Sequence, residues 1–238
     1  MRYLLLHGFS GGPQSLAEIQ AVAHDSVTPT LGGHLATPVV GGYWDEVERL
    51  AELGKDCAGL LGYSLGGRFA LGILARYPER FEHAVIVSAH PGLKTDQERA
   101  ERREGDARFV QILRERGLTA FVDAWQALPL WASQGSLPEA AKQAQRELRL
   151  RHDAAGLAES LIQHGLGEMP DLRPQLTEVQ TLVELVVGAR DPKFVALGEE
   201  LSGLMPSSRL IRAPGAGHNL LLERSELVCG LVLRENAL

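Results

Sequence analysis

Cys57-Ala58-Gly59-Leu60-Leu61-Gly62-Tyr63-Ser64-Leu65-Gly66-Gly67-Arg68-Phe69-Ala70 is the stretch around which the rest of the chain is arranged. An apolar run, residues 58–61, leads straight into Gly62-Tyr63-Ser64-Leu65-Gly66, a G-x-S-x-G pattern, and then into helix-forming residues 68–77. The order is strand, sharp turn, helix. A serine at such a turn sits at a strained backbone position with its hydroxyl held above the strand end. The flanking glycines are needed because a Cβ there would meet the neighbouring strand and helix. The helix starting just after Ser64 also points its first N–H groups and positive dipole end at the same spot, which favours negative charge there. Short Gly-Ser turns are common on their own; the apolar run before this one and the helical pattern after it make it a candidate nucleophile site.

Working outward, apolar runs alternate with helical spacing. Residues 3–6 read as a buried parallel strand, ended by His7-Gly8 and the loop Phe9-Ser10-Gly11-Gly12-Pro13. Pro13 can start a helix reaching about residue 23, and residues 27–30 form a candidate short second strand before the Gly32-Gly33-His34 turn. A helix over 44–53, a strand over 58–63, a helix over 65–76 and a strand over 84–88 follow. From Lys94 to about Pro174 the texture changes to Arg, Glu, Gln and Ala without β-branched runs. Helices are expected there over 96–116, 118–128, 137–150 and 154–165, punctuated by Gly117, Pro129, Gly135 and Gly165. Strand texture returns over 181–187 and 208–212, with helices over 192–204 and 220–233. Alternating strands and helices imply an α/β fold with a mostly parallel sheet of about six strands. The expected division is a core in two parts, 1–92 and 179–238, around a helical cap insertion, 93–178.

The 238 residues suffice for one large domain with a substantial core. A net charge of −6 and a pI near 5.8 leave no basic footprint for nucleic acid or an anionic membrane, so an anionic ligand must meet a local cluster of cations. The two cysteines, Cys57 and Cys229, suggest a reducing compartment and core-filling roles rather than a disulfide framework. The apolar run at the N-terminus is too short for a signal peptide, and no run approaches the ~20 residues of a membrane span, so a cytoplasmic location without membrane partners is expected.

A serine hydroxyl needs an imidazole to take its proton, and the imidazole needs a carboxylate to fix its tautomer. On an elbow of this kind these partners come later in the chain as an acid and then a histidine, each just past a strand end. Asp191, in Gly188-Ala189-Arg190-Asp191, and His218, in Gly215-Ala216-Gly217-His218-Asn219, meet both conditions. With eight histidines in the chain, most are core or surface residues; strand end, glycines and order single out His218. The expected oxyanion donors are the N–H groups of Leu65 and Phe9, with the His7 ring bracing the loop that carries Phe9.

These residues resemble the α/β-hydrolase superfamily and, more narrowly, the 2-succinyl-6-hydroxy-2,4-cyclohexadiene-1-carboxylate synthase family, pyruvate-eliminating lyases of menaquinone biosynthesis. The resemblance spans nearly the whole chain. Its carriers are His7-Gly8-Phe9-Ser10-Gly11, Gly62 to Arg68, the run from His90 to Arg102, Asp123-Ala124-Trp125, Leu150-Arg151, Pro170-Asp171-Leu172-Arg173, Gly188 to Phe194 and Ala216-Gly217-His218-Asn219. It implies a catalytic Ser64, Asp191 and His218, and a substrate site lined by Tyr63, Arg68, Arg102, Trp125, Arg151 and Lys193. Arg103, Arg108, Arg114 and Arg149 are expected on solvated helix faces. Two wordings depart from the family: Gly33-His34-Leu35 stands where Gly-His-Gly is usual, and Gln126-Ala127-Leu128-Pro129 follows the cap Trp. The opening antiparallel hairpin of many superfamily members has no counterpart ahead of residue 3.

The resemblance implies a small substrate carrying several carboxylates, no cofactor and no metal, and a monomer or small homo-oligomer. Guanidinium forks grip carboxylates at two points, so arginines both position and neutralise. The main rival is a serine hydrolase, a carboxylesterase or C–C bond hydrolase, using Ser64 as a true nucleophile. A non-catalytic ligand receptor on the same fold is a second. Arg102, Arg151 and Lys193 discriminate against an ester-cleaving enzyme, because an apolar ester has no use for them.

Overall fold

Continuous apolar runs become strands buried on both faces, as a parallel sheet flanked by helices requires, except at one edge, where Ser208–Ala213 is half-exposed. The computed structural model describes residues 1–234. Its sheet is β1 (Tyr3–Leu6), β2 (Gly59–Tyr63), β3 (His83–Val87), β4 (Leu182–Gly188) and β5 (Ser208–Ala213), side by side in that order and all parallel. Leu4 pairs with Leu60, Leu60 with Ala84, and Ala84 with Val183. The sheet therefore has five strands among the described residues rather than about six. The expected strand at 27–30 shrinks to a bridge between Val27 and Leu4, with Leu5 N–H donating to the Val27 carbonyl and Val27 N–H to that of Tyr3, both at 2.8 Å. Pro29 has no N–H with which to continue the ladder.

Alternation along the strands divides the core into two layers. Leu4, Leu6, Leu60, Ala84, Ile86 and Leu185 pack with α2 (Tyr43–Leu53) and α3 (Leu65–Arg76) on one face. Tyr3, Leu5, Leu61, Val85 and Val87 face the other way, against Leu16, Ile19, Leu220, Val228 and Leu231. Those partners come from a 3₁₀ turn (Pro13–Leu16), α1 (Ala17–Val22), and two closing helices that replace the single one expected over 220–233, Leu220–Glu223 and Ser225–Arg234.

Between β3 and β4 the chain is helical: α4 (Asp96–Gln126), a 3₁₀ segment (Pro129–Ser136), α5 (Glu139–Arg149), α6 (Ala154–His164) and α7 (Arg173–Leu176), with α8 (Pro192–Leu204) following β4. A capping box starts α4: the Thr95 hydroxyl accepts the Glu98 N–H at 3.1 Å and the Glu98 carboxylate accepts the Thr95 N–H at 2.9 Å. Gly117 breaks α4 at φ 79°, so its two halves match the helices expected on either side of that glycine. Val110, Leu113, Phe121, Val122, Leu157, Ala158 and Leu161 form a third, smaller core between α4 and α6, and Phe9 packs on it from the loop after β1. That contact sets these helices over the strand ends. No helix among the described residues is long and apolar enough to cross a membrane.

Candidate active site

Ser64 adopts φ 53°, ψ −107°, a left-handed backbone that a non-glycine residue takes only when its surroundings enforce it. Three hydrogen bonds do so: Ser64 N–H to the Val87 carbonyl at 2.9 Å, Gly66 N–H to that of His7 at 3.0 Å, and Arg68 N–H to that of Ser64 at 2.9 Å. The flanking glycines mark backbone contacts. A Cβ on Gly62 would lie 2.5 Å from the Gly66 carbonyl oxygen and 2.7 Å from Ala70 Cβ, and one on Gly66 would overlap the carbonyls of Leu6 and His7. Helix α3 can therefore begin directly over the ends of β1 and β2.

The loops after β4 and β5 bring in the other two members. Ala189 N–H donates to the Ala213 carbonyl at 3.0 Å and Arg190 N–H to that of Ala216 at 2.9 Å, lacing the loops together. Asp191 caps α8 through the Phe194 N–H (3.3 Å) and accepts a 3.1 Å hydrogen bond on its other oxygen from His218 Nδ1. Nδ1 thus carries the proton and Nε2 is left as acceptor, 3.0 Å from Ser64 Oγ. The imidazole is 2% exposed and is walled by the rings of Phe194, Tyr63 and Trp131, with centroids at 4.5, 5.6 and 5.6 Å. Ser64, Asp191 and His218, separated by up to 154 residues, form one hydrogen-bonded chain.

His7 braces the loop after β1: Nδ1 donates to the Gly8 carbonyl at 2.8 Å and Nε2 accepts the Leu31 N–H at 3.1 Å. His34 continues the brace by accepting the Ser10 N–H at 3.1 Å, and His152, between α5 and α6, accepts the Leu35 N–H at 2.9 Å. These rings stack edge to face, His7 on His34 at 5.1 Å and His34 on His152 at 5.4 Å. Burial pushes His7 and His152 down to about 4 and His34 well below its usual value, so all three stay neutral acceptors near neutral pH. The braced loop runs close to the elbow, since a Cβ on Gly8 would lie 2.7 Å from the Tyr63 ring and 3.5 Å from Ser64 Cβ. Phe9 and Leu65 both line the space beside Ser64.

That space is a chamber of about 150 Å³ whose walls include Tyr63, Ser64, Arg68, Arg102, Trp125, Lys193 and His218. A larger chamber of about 420 Å³ adjoins it, sharing Phe9, Tyr63 and Trp131 and lined also by Arg149 and Arg151. Arg68 donates to the His164 carbonyl at 3.1 Å; desolvation, with Arg102 beside it, draws its guanidinium down to about 10. Arg102 is held by Asp106, whose two oxygens accept from Nε at 3.0 Å each. Trp125 stacks on Phe121 and crosses the Phe9 ring, while its indole N–H is buried without a partner. Lys193 lies with Nζ 5.8 Å over the Phe194 ring.

One placement differs from the sequence reading. Arg151 reaches the larger chamber but is exposed, whereas Arg149, assigned to a solvated helix face, is 4% exposed. Its guanidinium sits 5.1 Å over the Trp131 ring, Nη1 is buried without a partner, and burial draws it down to about 10. Arg103, Arg108 and Arg114 are exposed, as expected. Sequence reasoning also passed over Ser88 and Ser160, whose buried, partnerless hydroxyls line the small chamber, and His90, held down to about 3 by burial and by Lys193 and Arg68. Of these, Arg149 and His90 had a signal in the sequence: the first stands at the end of a charged helix two residues before Arg151, and the second opens the His90–Arg102 run that carries the resemblance.

An elbow serine, a histidine and an acid at the carboxyl ends of parallel strands, under inserted helices, define a class. The chain belongs to the alpha/beta hydrolase family, whose sequence model matches residues 3–231. Its relatives narrow the resemblance. It is 33% identical over 225 residues to 2-succinyl-6-hydroxy-2,4-cyclohexadiene-1-carboxylate synthase of Salmonella agona (strain SL483), covering 91% of this chain and 86% of that one. It is 36% identical over 233 residues to a Bacillus subtilis (strain 168) protein given the same synthase name provisionally, covering 93% and 85%. Among solved structures, MenH from S. aureus matches with a TM-score of 0.92 at 27% identity, over 100% of this chain and 95% of that one.

Proposed function

We propose that this protein is a carbon–oxygen lyase that eliminates pyruvate from 2-succinyl-5-enolpyruvyl-6-hydroxy-3-cyclohexene-1-carboxylate, giving 2-succinyl-6-hydroxy-2,4-cyclohexadiene-1-carboxylate for menaquinone biosynthesis in the cytoplasm. The observation that carries this is the charge around Ser64. The chain is net acidic, yet among the described residues neither Arg68 nor Arg149, nor Lys193, forms an ion pair with a carboxylate. A desolvated guanidinium without an anion costs several kcal/mol, a cost a multiply carboxylated substrate removes on binding. A neutral ester would leave it in place.

In this reading Ser64, activated by His218, whose ring Asp191 orients, takes the proton next to the succinyl carbonyl. The carbonyl oxygen gains negative charge, held by the N–H groups of Phe9 and Leu65, and the electron pair expels the enolpyruvyl oxygen. The C–H and C–O bonds break, the ring gains a double bond, and the expelled enolate takes up the proton held on His218 and leaves as pyruvate. No acyl-enzyme forms. A positioned base supplies about 10²- to 10⁴-fold, and each oxyanion donor about 10²- to 10³-fold. Arg68, Arg102, Arg149 and Lys193 hold carboxylates, Tyr63 and Trp125 shape the chamber, and Arg151 steers from the outer rim. Residues 93–178 act as a cap over a core made of 1–92 and 179–238. The test is turnover of the enolpyruvyl substrate, followed by pyruvate release, beside a short-chain nitrophenyl ester. Efficient release with poor ester cleavage supports the lyase; the reverse replaces it with a serine hydrolase.

A further inference from the structure

Glu223 closes the short helix Leu220–Glu223 behind His218, and its carboxylate collects three donors from two separate parts of the chain. One oxygen accepts the Gly217 N–H at 2.8 Å; the other accepts the Asn219 N–H at 3.3 Å and the Ser133 hydroxyl at 3.1 Å. Gly217 and Asn219 are the residues on either side of His218, so one carboxylate grips the turn that carries the imidazole from both ends. Ser133 belongs to the segment Pro129–Ser136 of the inserted helices and is 8% exposed. The same segment supplies Trp131, whose ring meets the His218 imidazole edge to face at 5.6 Å. It rests directly on the turn, since a Cβ on Gly217 would fall onto the Ser133 side chain.

We propose that Glu223 is a positioning residue for His218, fixing the imidazole against Ser64 and tying its turn to the inserted segment through Ser133. Hydrogen bonds to an ionised acceptor are roughly twice as strong as neutral ones, and a carboxylate offers only acceptors, which matches a turn that presents only donors. Glutamine in this place keeps the size but turns an NH₂ group toward one of the two amides. That amide loses its acceptor, and the turn shifts. A shift on the order of 1 Å in a catalytic group costs about 10²-fold in rate.

The proposal rests on the triad reading above, and its test separates the two. A small uncharged fluorophosphonate labels an activated serine without needing any of the cations. Glu223→Gln is expected to slow labelling of Ser64 about ten- to a hundredfold, with kcat for the enolpyruvyl substrate falling in parallel and KM changing less than threefold. Glu223→Asp, which keeps the charge but reaches less far, should recover part of the rate. Ser133→Ala, which leaves both amide contacts intact, should slow labelling about threefold at most. Labelling of Glu223→Gln at the wild-type rate, even with a lowered Tm, overturns the positioning role and leaves a structural one. Ser133→Ala falling as far as Glu223→Gln overturns it in favour of the inserted segment. Should Glu223→Gln not fold, Glu223→Asp decides by the same rate, slower supporting and unchanged overturning. A wild-type protein that does not label, or a Ser64→Ala variant that does, refutes the triad reading instead.

Discussion

Replacing Arg149 by methionine should make the protein more stable and less active at once. Burial draws the guanidinium well below its usual range, to about 10, a penalty on the charged form of on the order of 3 kcal/mol in the folded state. Because the group remains charged at any working pH below that value, the penalty is present throughout the neutral range and does not titrate away. Methionine fills a similar volume without the charge and gives up the contact over Trp131, about 0.5–2 kcal/mol. The balance is a gain of roughly 1–2 kcal/mol, or about 2–8 °C in Tm for a chain of this length. Activity should move the other way. Losing a desolvated charge contact to a substrate carboxylate costs roughly 2–4 kcal/mol, a fall in kcat/KM of about thirty- to a thousandfold. Calorimetry and pyruvate release on the same preparations give both numbers. The exposed Arg151 serves as control, and Arg151→Ala should change kcat/KM less than about threefold. A less stable Arg149→Met protein with undiminished kcat/KM would show that Arg149 is a structural residue and that the chamber is not built for an anion.

Ser64→Ala and His218→Ala should each remove most activity with the double variant hardly worse, and Asp191→Asn should approach them by giving the imidazole the wrong tautomer; additive losses in pyruvate release would break the shared role. His7 and His152, held down to about 4 by burial, bind protons in the unfolded chain before the folded one does. The stability present above about pH 6.5 is therefore lost as the pH falls toward 4, by up to roughly 3 kcal/mol per group. Tm followed over that window should drop less steeply in His152→Gln, and an unchanged slope would count against the buried-neutral assignment.

What the sequence discloses depends on how local the determinant is. The elbow is written in consecutive residues: Gly62 and Gly66 are required by contacts with carbonyls and side chains a few positions away or on the adjacent strand, and the positive φ of Ser64 follows from that packing. Asp191 and His218 are nearly as legible: Asp191 follows an apolar run that reads as a buried strand, and His218 follows a shorter, half-exposed strand and stands in a glycine-flanked turn. The candidate strand at 27–30 failed for a local reason that could have been weighed, since Pro29 removes the donor the ladder needs. Of the histidine brace, His7 is legible from its place just after the first strand, but its extension to His34 and His152 has no such signature. His34 and His152 are 118 positions apart, and nothing near either announces that their rings will meet.

The arginines mark where reading a chain by pattern stops. Helix α5 ends at Arg149, and Arg151 lies two residues on, so the two side chains leave the backbone in different directions. A helix rich in Glu, Gln, Arg and Ala has two polar faces, and composition does not say which of them will be pressed against Trp131 and Tyr63. That choice is made by how the inserted helices seat on the sheet, through Phe9 against Phe121 and Trp125 and through Ser133 against Glu223. A residue whose identity suits solvent is thereby carried into a desolvated wall. A buried guanidinium with an unpartnered nitrogen costs the fold stability until an anion pairs with it, which is what the Arg149→Met comparison measures. Ser64, Asp191 and His218 on strand ends can be found from sequence, as can Arg68 and Lys193 a few residues past them, whereas the seating of Arg149 in the chamber wall comes from tertiary contacts between the insertion and the core.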